Sequence, residues 1–273
     1  MLTLILLSIK AGYAEKETYT FGVLNQRSIL LTAQYWNPIL RYVSDKSGVR
    51  LELKLAKTAP ASSILTGQGE FDFIYSNLIF LPANEAAGYR VIARPMAGAI
   101  RGQIVTLANS RIQTLEQLQG KTVGFPSTAA FVGYALPMNA LLQARVTVTP
   151  VFAGNQEGIM AQLKAGRIIA AGVNSELMSD YAERENFKYR VLWESESYLN
   201  LPIAVLPSVP SEKMKAVRAA FVSMTNDPAG YKILADSASI VKQDPPYGFI
   251  YADDRDYENY RKFYKSNLIK GLQ

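Results

Sequence analysis

From Tyr19 onward, short apolar runs alternate with longer amphipathic stretches, and no other feature of this 273-residue chain constrains its fold as tightly. Apolar runs of strand length separated by helical patterns require strands joined by crossover helices, an α/β architecture. Residues 20–24 read as the first strand. Trp36, Ile39, Leu40 and Val43 then recur at helical spacing up to Gly48, with Pro38 near the front of the helix, and residues 51–55 alternate as the next strand. Further strands are expected at 71–75, 90–94 and 103–108, with a helix between the first two ending near Gly88. A second βα series opens at Leu115 with a helical turn, a stop at Gly120 and a strand ending at Pro126. Ser127 and Thr128 are expected to open a helix running to about Gln143. Strands follow at 146–152, 168–173 and 189–193, then an extended segment at 202–206. The remainder from Pro210 reads as largely helical, ending in a charged amphipathic stretch at 253–265.

Composition narrows the function. The chain is 49% hydrophobic and 19% charged, enough to bury a sizeable core. It contains neither Cys nor His, which excludes thiol catalysis, Ser-His-Asp triads and zinc or haem sites built on those residues. Its Asp and Glu pairs sit in no recognisable catalytic setting, so an enzyme is the weakest expectation, and no cofactor is expected. The net charge of +6 is spread along the chain with no basic run, and nucleic acid is not an expected partner. Residues 2–9 form an apolar run too short to span a bilayer, followed by small residues and then Glu15-Lys16-Glu17. This reads as the tail of a signal peptide with cleavage after Ala14, Gly12 supplying the second small residue, although the positively charged opening segment is missing. The competing reading is a buried first strand or helix.

Six blocks, in this order, resemble one family. They are FGVLNQRS at the first strand, WNPILRYVSDKSGVRLEL, GEFDFIYSN, TLEQLQGKTVGFPSTAAFVGYALP, VFAGNQEGIMAQLKAGRIIAAGVNSELM and RVLWESESYLNLPIAV. The family is that of the phosphate/phosphite/phosphonate-type periplasmic substrate-binding proteins of ABC transporters, within the type II periplasmic binding fold. The resemblance implies two lobes, each a sheet flanked by helices, joined by two crossing strands near 97–104 and 201–206. Residues 1–14 would be a signal-peptide remnant, 15–100 with 205–273 the first lobe, and 101–204 the second. It also implies a periplasmic monomer that closes on a small-molecule ligand and serves a membrane permease or a sensor protein.

The candidate ligand residues follow from this frame. Ser127 and Thr128 precede an apolar helix, where hydroxyls and free N–H groups can converge on an anion; the family holds a tetrahedral oxyanion at the equivalent pair. The other reading is simple helix capping. Tyr75, Ser76 and Asn77 follow a buried strand at a crevice-facing strand end, and Asn25, Gln26 and Arg27 occupy another such loop. Gln156 stands where many relatives have a His, and Asn174 and Ser175 where relatives often carry an acid. Both changes replace charge by neutral hydrogen-bonding groups. The expected ligand is therefore a phosphonate- or phosphite-like oxyanion, with a singly charged or largely neutral species favoured over a doubly charged aminoalkyl phosphonate. A lipid-like ligand, or a ligand-sensing role at a membrane sensor, are the alternatives.

Overall fold

The computed structural model describes residues 18–272. The apolar N-terminal run and its cleavage site lie outside the described residues. In chain order the first elements are β1 (Thr18–Val23), α1 (Ile29–Ser47), β2 (Arg50–Lys54), α2 (Ala59–Gly67), β3 (Phe73–Tyr75), β4 (Arg90–Pro95) and β5 (Gly102–Leu107). Then come β6 (Thr122–Phe125), α3 (Leu136–Gln143), β7 (Thr149–Phe152), α4 (Gln156–Lys164), β8 (Ala170–Asn174), α5 (Ser175–Arg184) and β9 (Tyr189–Glu194). The chain closes with β10 (Ile203–Val205), α6 (Ser211–Ser223), α7 (Pro228–Ile240), β11 (Phe249–Tyr251) and α8 (Glu258–Ser266).

These elements build two mixed sheets flanked by helices. The first has six strands in the order β11-β4-β10-β3-β1-β2, the second five in the order β7-β6-β8-β5-β9. In the first sheet β1 runs parallel to β2 and β3, while β10 pairs antiparallel with both β3 and β4. In the second, β6 runs parallel to β7 and β8, and β5 pairs antiparallel with β8 and β9. The parallel strands β1, β3, β6 and β8 send their carboxyl ends toward the crevice between the sheets, where ligands of open α/β sheets bind.

α1 shows how the pattern becomes structure. Ser28 accepts the Leu31 N–H as N-cap, Gly48 ends the helix with φ 68°, and Trp36, Ile39, Leu40 and Val43 form one buried stripe. Pro38 lies in the interior of this helix and not near its front; the buried stripe offsets the hydrogen bond it removes. The stripe packs on a ring cluster in which Phe21 lies 5.2 Å from Trp36 and 5.7 Å from Phe221, with Phe249 5.0 Å from Phe221.

The stretch after Pro210 is largely helical as expected, and within it Phe249–Tyr251 adds β11 to the edge of β4; a three-residue run flanked by Gly248 is too short for periodicity to show. Two expectations change. The helix expected between 78 and 88 is two 3₁₀ segments, Leu78–Phe80 and Pro82–Ala87, divided by Pro82. The helix expected to open at Thr128 begins at Phe131 with a π-helical turn, Phe131–Ala135, that leads into α3.

The sheets are joined where the chain passes from β4 to β5 and from β9 to β10. The two passages pair with each other: Ile100 N–H donates to Tyr198 O at 2.7 Å and Tyr198 N–H donates to Ile100 O at 2.9 Å. Because β10 is a full member of the first sheet, the second passage lies upstream of it and not at 201–206. The π-helical turn rests against β5 and β8 at two glycines. A Cβ on Gly102 would stand 2.6 Å from Val132 O, and one on Gly172 2.5 Å from Gly133 O. Backbone cannot yield as a flexible side chain does, so Gly102→Ala should cost about 1–3 kcal/mol, read as a lower midpoint of denaturant unfolding. An unchanged midpoint would show that the turn can move away from the sheet.

Candidate functional site

Two adjoining spaces open between the sheets and share Leu24 and Gln26 as walls. The smaller, a niche of about 360 Å³ counting its mouth, lies between the loops after β1 and β3 on one side and the segment after β6 on the other. Asn25, Gln26, Asn77, Ser127 and Gln156 supply its polar groups, and Leu24, Ala59, Phe131, Val132 and Leu201 much of its apolar wall. Three of the polar atoms, Asn25 Oδ1, Asn77 Oδ1 and Ser127 Oγ, are buried without a hydrogen-bond partner. Native interiors satisfy most buried polar groups, and an unmet one costs about 1–3 kcal/mol, so such a concentration marks a place that something else completes.

Each niche residue is held by its own element. Asn25 Nδ2 donates to Ala56 O at 2.7 Å, linking the loops after β1 and β2. Gln156 is the first residue of α4, behind the N-cap Asn155, and its Oε1 accepts the Asn174 N–H at 3.2 Å. Ser127 is buried but caps no helix: its backbone carbonyl accepts from Ala130 N–H at 3.2 Å, and three residues separate it from the π-helical turn. The first N–H groups of that turn have no preceding carbonyl to meet and lie at the positive end of a helix.

The larger space, about 830 Å³ counting its mouth, is a chamber walled by Tyr35, Trp36, Tyr75, Tyr247 and Phe249, with Arg27, Asn174, Glu176, Asn200 and Gln243 as its polar members. Trp36 and Tyr75 have ring centroids 4.8 Å apart, and Tyr35 donates its hydroxyl to Gln243 Oε1 at 3.2 Å. Burial pushes the Tyr35 phenol up to about 12 and the Tyr75 phenol well above its ordinary value, so both stay protonated. Charge at this end comes from Glu176, Arg27 and the nearby Asp180. Burial raises the Glu176 carboxyl, opposed by the Arg27 guanidinium and by the hydrogen bond that Asn200 Nδ2 donates to Glu176 Oε2 at 2.9 Å.

The expected ligand residues therefore divide. Asn25, Gln26, Asn77, Ser127 and Gln156 converge on the niche, while Tyr75 and Asn174 line the chamber. Asn174 Oδ1 also caps α5 by accepting from Glu176 and Leu177 N–H. Ser76, Thr128 and Ser175 line neither space. Ser76 Oγ accepts from Leu78 N–H in its own turn, and Ser175 Oγ accepts from Arg101 N–H at the passage between the sheets. Thr128 is exposed in the turn that precedes the helix. Glu176, one residue beyond Ser175, brings an acid to the chamber, whereas no charged side chain lines the niche among the described residues. By position Glu176 is a first-turn acid of an amphipathic helix, a place where acids are common for helix stability alone. Of the chamber's rings Tyr75 was expected, while Tyr35, Trp36, Tyr247 and Phe249 escaped notice, since rings at strand and helix positions read as core.

The two sides meet at a charged rim. Arg27, after β1, lies 3.7 Å from Asp180 of α5, and Ser28 N–H donates to Glu157 Oε2 of α4 at 3.4 Å. Arg184 holds Glu157 from the same lobe. Asp180 Oδ2 is buried with no hydrogen bond, and its carboxyl is raised to about 7 by burial first, then by Glu176, Asp244 and Glu183, against the pull of Arg27.

With this geometry, the fold is that of a two-lobed type II periplasmic binding protein. The sequence belongs to the ABC transporter, phosphonate, periplasmic substrate-binding protein family, whose pattern matches residues 21–257. No curated protein matches the chain. Among solved structures, it is similar to a binding protein component of an ABC phosphonate transporter from Pseudomonas aeruginosa, at TM-score 0.77 and 18% identity, covering 91% of this chain and 86% of that one. It is also similar to PhnD1 from Prochlorococcus marinus in complex with methylphosphonate, at TM-score 0.76 and 14% identity, covering 91% and 97%. A Xanthomonas citri protein bound to chloride aligns at TM-score 0.71 and 16% identity, covering 91% and 96%.

The rim sets a pH dependence. Folded, Asp180 keeps its proton to about pH 7, whereas the unfolded carboxyl releases it near the ordinary 3.8. Between these values the folded state binds more protons, so the stabilisation is full below the unfolded value and lost as pH rises through about 7. Asp180→Asn should raise the melting temperature by about 2–4 °C above that pH and change it little in acid. Equal shifts at both ends would mean that the carboxyl is not perturbed.

Proposed function

We propose that this chain is an exported, non-enzymatic solute-binding protein that captures a small phosphonate- or phosphite-like oxyanion in the niche and delivers it to an ABC importer. The observation that carries the reading is the trio of unpartnered buried atoms from Asn25, Asn77 and Ser127, on both sides of one crevice. A ligand that bonds all three also ties the lobes together, as a hinged receptor requires. Ser127 Oγ and the free N–H groups of the π-helical turn donate to the oxyanion, and the apolar wall receives its organic substituent. A lipid-like ligand is the weaker reading, because an apolar occupant would leave the three polar atoms unmet.

The division within the Ser-Thr pair gives a direct test. Ser127→Ala should weaken methylphosphonate, phosphite or phosphate binding by about 10–100-fold, the loss of one buried hydrogen bond to a charged partner, while exposed Thr128→Ala leaves it within about twofold. Calorimetric titration of both variants measures this. Equal losses, or none in either, would move the ligand elsewhere. Export is tested separately by sequencing the mature N-terminus from a cell-envelope fraction, which should begin at or near Glu15; uncleaved protein in the cytosol would refute it.

A further inference from the structure

Asn25 Nδ2 donates to Ala56 O, and because a carbonyl can only accept, this bond fixes the amide so that Oδ1 is its free group. That oxygen is buried and unpartnered. Asn77 presents a second one. Its residue is 3% exposed, it precedes the Leu78–Phe80 turn without bonding to it, and its Oδ1 is also buried and unpartnered. Both oxygens are acceptors, and both residues belong to the wall of the same niche. Ser127, 4% exposed, adds a hydroxyl that donates and accepts. Among the described residues, no Lys or Arg lines this space; Arg27 belongs to the chamber and the rim.

A fully deprotonated oxyanion offers only acceptor oxygens. Set against the fixed carbonyl oxygen of Asn25 it would meet lone pair with lone pair, with no cationic side chain in the wall to offset a second negative charge. A singly protonated oxyanion carries both kinds of group. Its charged oxygens suit Ser127 and the N–H groups of the π-helical turn, and its hydroxyl suits a carbonyl acceptor. We infer that Asn25 and Asn77 make this site specific for the protonated, monoanionic form of a phosphorus oxyanion and exclude sulfonates of the same shape and charge. The inference rests on the oxyanion reading and adds the acceptor side of the site, which decides between oxyanions of equal size.

The test compares methylphosphonate with methanesulfonate, which has the same outline and a single negative charge but no hydroxyl. It uses the Asp180→Asn protein, so that the rim carboxyl does not titrate alongside the ligand. Below the second ionisation of methylphosphonate, calorimetry should show methanesulfonate binding at least about 100-fold more weakly, since a site built to bond a hydroxyl rejects the analogue that lacks it. Above that ionisation, the apparent affinity for methylphosphonate should fall about tenfold per pH unit, following the fraction of protonated ligand. Asn77→Leu should lower methylphosphonate affinity about tenfold and leave methanesulfonate unchanged, so that discrimination narrows. Circular dichroism verifies that the variant is folded, and Asn77→Ser serves in its place if it is not. Equal binding of the two ligands, or methylphosphonate binding that is flat across its second ionisation, overturns the inference while leaving oxyanion capture intact. Failure of every oxyanion to bind at any pH overturns the capture reading and the inference together.

Discussion

The seat of the Phe131 ring determines where the site lies. Phe131 begins the π-helical turn and belongs by sequence to the segment after β6, yet its ring packs in the core of the first lobe. It lies 4.3 Å from Tyr260, 4.9 Å from Tyr198, 5.1 Å from Phe263 and 5.5 Å from Tyr264. The same cluster holds the passage between the sheets, since Tyr257 and Tyr260 donate their hydroxyls to Asn200 O and Leu199 O at 2.7 and 2.6 Å. One aromatic contact thus locates the hinge and the helix start together. Because Ser127, Ala130 and Val132 flank that ring along the chain and line the niche, the niche opens beside the pivot. A rotation about that passage would change distances least at this place.

The crevice separates two electrostatic tasks. Near the pivot no charged side chain lines the niche among the described residues. Toward the rim lie Arg27, Glu157, Glu176, Asp180 and Arg184, whose mutual pairs are made between or beside the lobes. The rim pairs act at the surface where the lobes separate, so their strength bears on closure more than on ligand identity. Asp180 makes the point sharply, because Arg27 stands 3.7 Å from its buried, unbonded oxygen and opposes the burial that keeps the carboxyl protonated.

Much of this was legible in the residue order. The βα rhythm gives strand after strand, and α1 can be read from Trp36, Ile39, Leu40, Val43 and Gly48 alone, because amphipathic periodicity and a glycine stop are local signals. The niche was legible in part. Asn25, Asn77, Ser127 and Gln156 are polar residues just beyond apolar strands or at a helix start, a position the sheet topology turns into a crevice. What escaped was set by tertiary contact. Thr128 and Ser127 are indistinguishable in sequence, and only the turn that delays the helix to Phe131 buries one hydroxyl and exposes the other. β11 exists because β4 offers it an edge, and Glu176 reaches the chamber because Asn200, a residue of the distant passage, bonds to it.

The glycines explain why the delayed helix start is compatible with a rigid site. A helix beginning directly at Ser127 would satisfy that hydroxyl with its own N–H groups and leave nothing for a ligand. Starting at Phe131 instead requires the turn to lie flat on β5 and β8, and the missing side chains of Gly102 and Gly172 admit its carbonyls. The backbone is then clamped between the sheet below and the aromatic cluster above. A hydroxyl left unbonded by its own chain ordinarily costs stability. Here contacts remote from the cleft offset that cost and hold Ser127 Oγ buried and unbonded.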